Sequence, residues 1–332
     1  MNNSSKLLFY ITLIMSTLLI ISSDNLLGMW MGLEINMISF IPILSKNKNM
    51  MASESCMIYF LTQSMGSILL ISTILMNSLI MVSPSLINET ISIIMIMSLM
   101  IKLGAPPFHF WFPSILEKMS WSESFILMTW QKIGPLIIIS HIINKESTLP
   151  IIVIMAVTVG AIGGLNQTSI QKIMAYSSIS HLGWMFMCMK YNNQLWIWYL
   201  LIYSFIIMMM TYMFNYFSAN YINQLNMNNS SLMEKLLLTT MFMSLGGLPP
   251  FLGFLPKWMV IQNMILSNST TILMIMILST LITLFFYLRM ISTVMMINFS
   301  FPKWTNNSKS KSFSSKMLLV NLLLPVIAMF NY

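Results

Sequence analysis

Four ionisable side chains stand inside long apolar runs: Glu34, Lys102, Lys132 and Lys257. A charge at hydrocarbon depth costs about 3 kcal/mol or more, so each needs a partner or a use. Glu34 lies in Trp30-Met31-Gly32-Leu33-Glu34-Ile35-Asn36, where an unpartnered carboxylate would take up a proton. Lys102 closes an apolar run just ahead of Pro106-Pro107, Lys132 lies in Thr129-Trp130-Gln131-Lys132-Ile133-Gly134-Pro135, and Lys257 follows Pro256. One glutamate cannot neutralise three lysines. Desolvation disfavours the ammonium form, so some of these lysines are expected to be neutral part of the time, and a lysine that can lose its proton can carry one. The plainer alternative is a fixed Glu34–Lys102 tether with Lys132 and Lys257 snorkelling or touching backbone carbonyls. An isolated buried pair would suit that alternative equally well; the excess of lysines favours a relay.

Three histidines offer a second route for protons: His109 beside the first proline pair, His141 near a helix end, and His181 in Ser177-Ser178-Ile179-Ser180-His181-Leu182-Gly183-Trp184. His181, with hydroxyl neighbours that could relay protons through water, is the one singled out. Haem ligation needs paired histidines facing one another, and these three fall on separate elements. Cys56 and Cys188 lack the close spacing of a disulfide framework or a metal site and are read as apolar packing residues. No GxGxxG, Walker-type loop or CxxC pair is present, so no NAD, flavin, iron-sulfur cluster or other cofactor is expected on this chain, and no metal. The small residues of Gly160-Ala161-Ile162-Gly163-Gly164 and Ser177-Ser178 are read as close helix packing.

The elements that hold these residues follow from composition. Of 332 residues, 57% are hydrophobic and 7% charged, against roughly 25% charged in a soluble domain. The expected fold is all-α, one polytopic membrane domain over 1–332. Its spans are 6–23, 26–44, 53–81, 87–112, 122–143, 148–165, 168–189, 193–218, 233–266, 270–296 and 314–331, eleven in all. The first run resembles a signal peptide, but no small-residue cleavage site follows and the next apolar run begins at Leu26. Spans 87–112 and 233–266 each carry a proline pair, which forbids a straight helix. At a constant offset of 143 residues they share Gly104/Gly247, Pro106/Pro249, Pro107/Pro250, Phe108/Phe251 and Pro113/Pro256. Five crossings separate their starts, so the copies enter from opposite sides. This predicts inverted repeat units at roughly 1–143 and 148–296, followed by a C-terminal helix at 314–331. Inverted repeats with interrupted helices are how many transporters build a midplane site.

Counting cations by side tests that topology. The N-terminal side collects Lys6, Lys46, Lys48, Lys118, Lys172, Lys235, Arg289, Lys303, Lys309, Lys311 and Lys316, and the other side only Lys145 and Lys190, eleven against two. The positive-inside rule then puts the N-terminus in the matrix and the C-terminus in the intermembrane space. The compartment is read from residue usage: 38 Met, with Arg289 the one arginine and Asp24 the one aspartate, suits an AT-rich gene in which a second codon is read as methionine, as in animal mitochondria.

Gly32-Leu33-Glu34-Ile35-Asn36, Lys102-Leu103-Gly104-Ala105-Pro106-Pro107-Phe108-His109-Phe110-Trp111, Thr129-Trp130-Gln131-Lys132, Gly163-Gly164-Leu165-Asn166-Gln167-Thr168, the His181 segment and Leu245-Gly246-Gly247-Leu248-Pro249-Pro250-Phe251-Leu252-Gly253-Phe254-Leu255-Pro256-Lys257-Trp258 run in order along nearly the whole chain. Together they resemble the chain 2 family of mitochondrial NADH-ubiquinone oxidoreductase, respiratory complex I, in its insect form. The resemblance implies an antiporter-like, proton-translocating subunit of the membrane arm, in a form lacking the first helices of longer bacterial relatives. It implies that Glu34 pairs with Lys102, that Lys132 follows centrally and that Lys257 passes protons outward. It also implies that NADH, FMN, iron-sulfur clusters and ubiquinone belong to other subunits. Expected partners are neighbouring antiporter-like and small membrane chains and phospholipids, with no nucleic acid. Two rivals share the broken helices and lysines: a stand-alone or Mrp-like cation/proton antiporter, and a scaffold whose buried charges are relict.

Overall fold

A computed structural model describes residues 3–45, 50–79, 86–142, 148–225, 232–295 and 317–322. Among them the secondary structure is helical apart from one bridge, Ser169 to Tyr221. Without water, the backbone of an apolar span must satisfy its own polar groups, which a helix does. The helices are α1 Asn3–Ser22, α2 Leu26–Leu44, α3 Met50–Leu79, α4 Leu86–Leu103, α5 Trp111–Leu116, α6 Trp121–Met128, α7 Trp130–Ile142, α8 Leu149–Gly164, α9 Ile170–Tyr191, α10 Asn193–Phe217, α11 Leu232–Gly246, α12 Phe254–Leu266 and α13 Thr270–Met295.

Among the described residues, six stretches are long and apolar enough to cross a membrane: Ser5–Ser22, Leu26–Leu44, Met50–Asn77, Trp121–Ile142, Asn193–Phe217 and Thr270–Met295. Thr90–Leu103 and Leu149–Gly164 are apolar but shorter. The other expected spans differ for physical reasons. Span 168–189 is the long α9, whose serines, glutamine, lysine and histidine make it polar, and it is buried on nearly every side. Span 233–266 divides into α11 and α12. Of span 314–331 only 317–322 are described, and Lys46, Lys48, Lys145, Lys303, Lys309, Lys311 and Lys316 of the charge tally also fall outside the described residues.

The chain forms two compact units, Met1–Met155 and Ala156–Tyr332. In the first, glycines allow close helix approach. A side chain at Gly32 of α2 would strike Ile20 and crowd the backbone of α1, so α1 and α2 meet at near-backbone distance, and one at Gly134 of α7 would strike the side-chain ends of Ile20 and Leu33, which pack into the space it leaves. The helix break expected in span 87–112 is present: α4 ends at Leu103, Gly104 takes a positive φ of 67°, and α5 begins at Trp111. A further interruption was not expected. Span 122–143 is divided at Thr129 (φ −119°, ψ −69°) into α6 and α7. The Thr129 hydroxyl bonds back to the Phe125 carbonyl at 2.7 Å, a contact that bends helices. Pro135, inside α7, cannot supply the N–H that would bond the Gln131 carbonyl.

The second unit is built round α9. A Cβ at Gly160 would meet the backbone of Ser180 at 2.6 Å, and one at Gly164 would meet the Phe286 ring at 2.8 Å, so the small residues of α8 serve close packing. Arg289 of α13 donates to the carbonyls of Leu165 (2.6 Å) and Gln167 (2.7 Å), fastening the α8–α9 connection. The second break follows the first in design: α11 ends at Gly246, Gly247 has φ 77°, and α12 begins at Phe254 after Pro249-Pro250. Its two sides close tightly, because a side chain at Gly253 would overlap the Ser244 carbonyl. Asn321 ties the C-terminal segment to this break, donating to the Thr240 carbonyl at 3.1 Å and accepting from the Leu252 N–H at 3.2 Å.

Candidate functional site

In the first unit the broken helix and the interrupted helix each deliver a buried lysine. Lys102 is on the last turn of α4 and Lys132 on the first turn of α7, 7% and 2% exposed. Both line one narrow cavity with room for about one or two waters. Asn36, Tyr59, Gln63 and Gln131 supply its other polar walls, and Trp111 and Phe112 close it on an apolar side.

The position of Lys102 follows from how the break is capped. A helix that stops leaves carbonyls without partners. Here the Trp111 indole N–H donates to the Ile101 carbonyl and the Gln63 amide to the Lys102 carbonyl, both at 3.0 Å. Neutral donors satisfy the helix end, so the Lys102 ammonium is not needed for that purpose. Its stem lies against Gly66 of α3, where a Cβ would meet Lys102 Cγ at 2.9 Å. Glu34, half-buried on α2, acts on Lys102 through space, yet the two side chains do not approach within the 4.0 Å of a contact ion pair. Lys132 extends its ammonium over the Phe112 ring, 5.5 Å from the centroid, a cation–π contact in an apolar setting. The same Phe112 packs at Gly104, where a Cβ would lie 2.8 Å away.

In the second unit Lys257 is 6% exposed and reaches back across its break. Its Nζ donates to the Gly246 carbonyl at 2.9 Å and to the Leu245 carbonyl at 3.4 Å, so the ammonium caps the negative end of α11. His181 is buried, with Nδ1 2.7 Å from the Tyr199 hydroxyl and its ring 4.9 Å from that of Tyr203. The flanking Ser177 and Ser178 hydroxyls bond back to the Met174 and Ala175 carbonyls. His109 lies beside Phe110 with Nδ1 3.3 Å from the Pro107 carbonyl, and His141 is exposed at the end of α7. Cys56 and Cys188 are both free thiols.

The structure thus brings Lys102 and Lys132 to one cavity and sets Glu34 near Lys102, while Lys257 and His181 stand in the second unit with their own partners. Sequence reasoning missed Tyr59, Gln63, Asn36 and Gln131. Gln131 Nε2 donates to Asn36 Oδ1 at 3.0 Å, and its Oε1 accepts from the Tyr59 hydroxyl at 3.3 Å. The available signal was the pairing of amides with intramembrane lysines, Asn36 two residues after Glu34 and Gln131 next to Lys132. Another buried acid, Glu123, has a structural role in the capping box of α6, accepting from the Ser120 N–H at 3.1 Å.

A family model for the membrane-spanning part of NADH:quinone oxidoreductase and Mrp antiporter subunits matches residues 23–283. NADH-ubiquinone oxidoreductase chain 2 of Anopheles gambiae is 46% identical over 327 residues, covering 97% of this chain and 96% of that protein. Among solved structures, a chain of respiratory complex I from Thermus thermophilus superposes with a TM-score of 0.84 at 20% identity, covering 96% of this chain and 77% of that one. A chain of the Mrp complex from Dietzia gives 0.81 at 13% identity, with coverage of 97% and 75%; at these identities the two show a shared fold. Nearly full-length identity to the mosquito protein, together with the family match over most of the membrane region, establishes that the chain belongs to the NADH-ubiquinone oxidoreductase chain 2 family.

Proposed function

We propose that the chain is a core membrane-arm subunit of respiratory complex I that translocates protons across the mitochondrial inner membrane, its N-terminus in the matrix and its C-terminus in the intermembrane space. As part of a proton-translocating NADH:ubiquinone reductase it carries no redox centre; NADH, FMN, iron-sulfur clusters and ubiquinone belong to other subunits. Neighbouring antiporter-like and small membrane chains cover part of its apolar surface, and phospholipids the rest.

The observation that carries this reading is the cavity shared by Lys102 and Lys132. Two amines facing one water-sized space, walled by amides and a phenol, can exchange a proton through a water without exposing it to lipid. Glu34 sets the balance. Two unit charges about 7 Å apart at an effective dielectric near 20 interact by roughly 2 kcal/mol, so a change in charge beside Glu34 alters whether Lys102 holds its proton. Redox-driven events elsewhere in the complex would supply that change. Lys132 then receives the proton, held in readiness by the Phe112 ring face. In the second unit Lys257 and the hydrogen-bonded pair of His181 and Tyr199 are the groups assigned to the later proton steps.

The cavity wall contains two lysines and no carboxylate among its lining residues, which favours proton over sodium transfer and so disfavours the cation-antiporter alternative. Replacing Lys132 by Met in the assembled complex, reconstituted in vesicles, is expected to lower the protons moved per NADH oxidised or the coupled turnover. An unchanged ratio and rate would refute the relay and leave a scaffold.

A further inference from the structure

The hydrogen bonds of the Asn36–Gln131–Tyr59 chain cap no helix, and the chain is costly: three buried or half-buried polar side chains from α2, α7 and α3 hold one another in a membrane interior. Its geometry fixes the Gln131 amide in one orientation. The Tyr59 hydroxyl donates to Oε1 and Nε2 donates to Asn36 Oδ1, so turning the amide over would set Oε1 against Asn36 Oδ1, two acceptors, and lose that bond. All three side chains line the cavity that holds Lys102 and Lys132. Gln131 is adjacent in sequence to Lys132, while Gln63, bonded to the Lys102 carbonyl, marks the Lys102 end of the same wall.

A wall of this kind has a definite chemical property. Amides donate and accept hydrogen bonds but neither gain nor lose a proton near neutral pH, and a phenol holds its proton there. The second Gln131 N–H and the Asn36 amide group are left with donors beside the cavity. A water in that space would meet fixed amide donors and the two lysines among its lining residues. Donors from the wall direct the water's lone pairs toward themselves and its own hydrogens toward whichever lysine is neutral. A rigid, non-titrating wall can in this way align transfer between two titrating groups without trapping the proton.

We propose that Gln131, locked by Asn36 and Tyr59, is a positioning residue that orients the water through which Lys102 and Lys132 exchange a proton. The inference rests on the relay reading above and adds to it the group that aligns the step. The titratable groups facing position 131 are Tyr59 of α3, Lys102 of α4 and Lys132 of α7, with Glu34 of α2 acting on Lys102.

The test uses the whole complex in vesicles, with NADH oxidation and proton uptake read together for Gln131→Leu, Gln131→Glu, Tyr59→Phe and, alongside, Lys132→Met. Gln131→Leu removes both hydrogen bonds and is expected to lower coupled turnover about tenfold, as a misplaced reacting group does. Tyr59→Phe frees one side of the amide and is expected to lower it about fivefold, the effect of one lost hydrogen bond. Gln131→Glu preserves shape and keeps the Tyr59 bond but adds a group that titrates. Its turnover should fall away from the wild-type profile as pH rises, because an ionised carboxylate pins the proton on Lys132. A merely structural glutamine would leave the turnover of Tyr59→Phe, which changes no charge beside Lys132, at the wild-type value. Should Gln131→Leu fail to assemble, the two near-isosteric variants decide the matter alone. If Lys132→Met lowers pumping while Tyr59→Phe and Gln131→Glu match wild type in rate and pH profile, the positioning role is overturned and the relay stands. If Lys132→Met changes nothing, both fall together.

Discussion

At the first break the lysine belongs to the helix that stops, and at the second it belongs to the helix that starts again. The two share Gly104/Gly247 at positive φ and a proline pair, cis at Pro106-Pro107 and trans at Pro249-Pro250, and both leave a helix end in an apolar setting with carbonyls to satisfy. The solutions differ. The α4 end is capped by the neutral Trp111 indole and Gln63 amide, leaving the Lys102 ammonium to face the cavity. The α11 end is capped by the Lys257 ammonium itself. At the position of Lys102 the second copy has Leu245, and at the position of Lys257 the first has Ser114. One backbone device thus serves as a frame for a cation in one unit and uses the cation as its cap in the other. A lysine freed from capping can exchange its proton at little structural cost, whereas one that caps a helix gives up the charge–dipole part of its cap when it discharges, keeping two N–H groups for the two carbonyls.

The sharpest way to break this comparison is to remove each lysine. Lys257→Met strips two buried carbonyls of their donor and should destabilise the second unit by about 2–4 kcal/mol, read as reduced yield and thermal stability of the assembled complex. Lys102→Met leaves the caps of α4 in place, so assembly should persist while coupled turnover falls. Equal assembly defects in the two variants would erase the distinction. Glycine replacement gives a smaller effect. Gly104→Ala and Gly247→Ala each force a left-handed conformation costing about 1–2 kcal/mol. At 247 the new Cβ would also sit 2.9 Å from Lys257 Nζ, so Gly247→Ala should lose more thermal stability than the strain alone predicts. At 104 it meets the Phe112 ring instead. The smallest effect is expected for Gln63→Leu, which uncaps the Lys102 carbonyl for about 1–2 kcal/mol by thermal unfolding while the indole still holds Ile101.

The three buried lysines, the half-buried Glu34 and the two breaks were legible in the sequence because each violates a local rule of the bilayer: charge in an apolar run, paired prolines in a span. The interruption at Thr129 was not, since a threonine hydroxyl and a single proline six residues on give a weak signal in a stretch that is otherwise one apolar run. The polar wall was hidden for another reason. Gln131 bonds partners 95 and 72 residues away in the chain, and a glutamine in a span gives no sign of which neighbours it will meet.

What the sequence by itself determined is which charged groups lie in apolar runs and where the helices must break, the one from the run of hydrophobic neighbours and the other from the missing proline N–H. Which lysine is free and which is a cap, and what fills the space between Lys102 and Lys132, was decided by tertiary structure. Those outcomes depend on which donor packs against a helix end, Trp111 and Gln63 at one and Lys257 at the other, and only tertiary packing sets that.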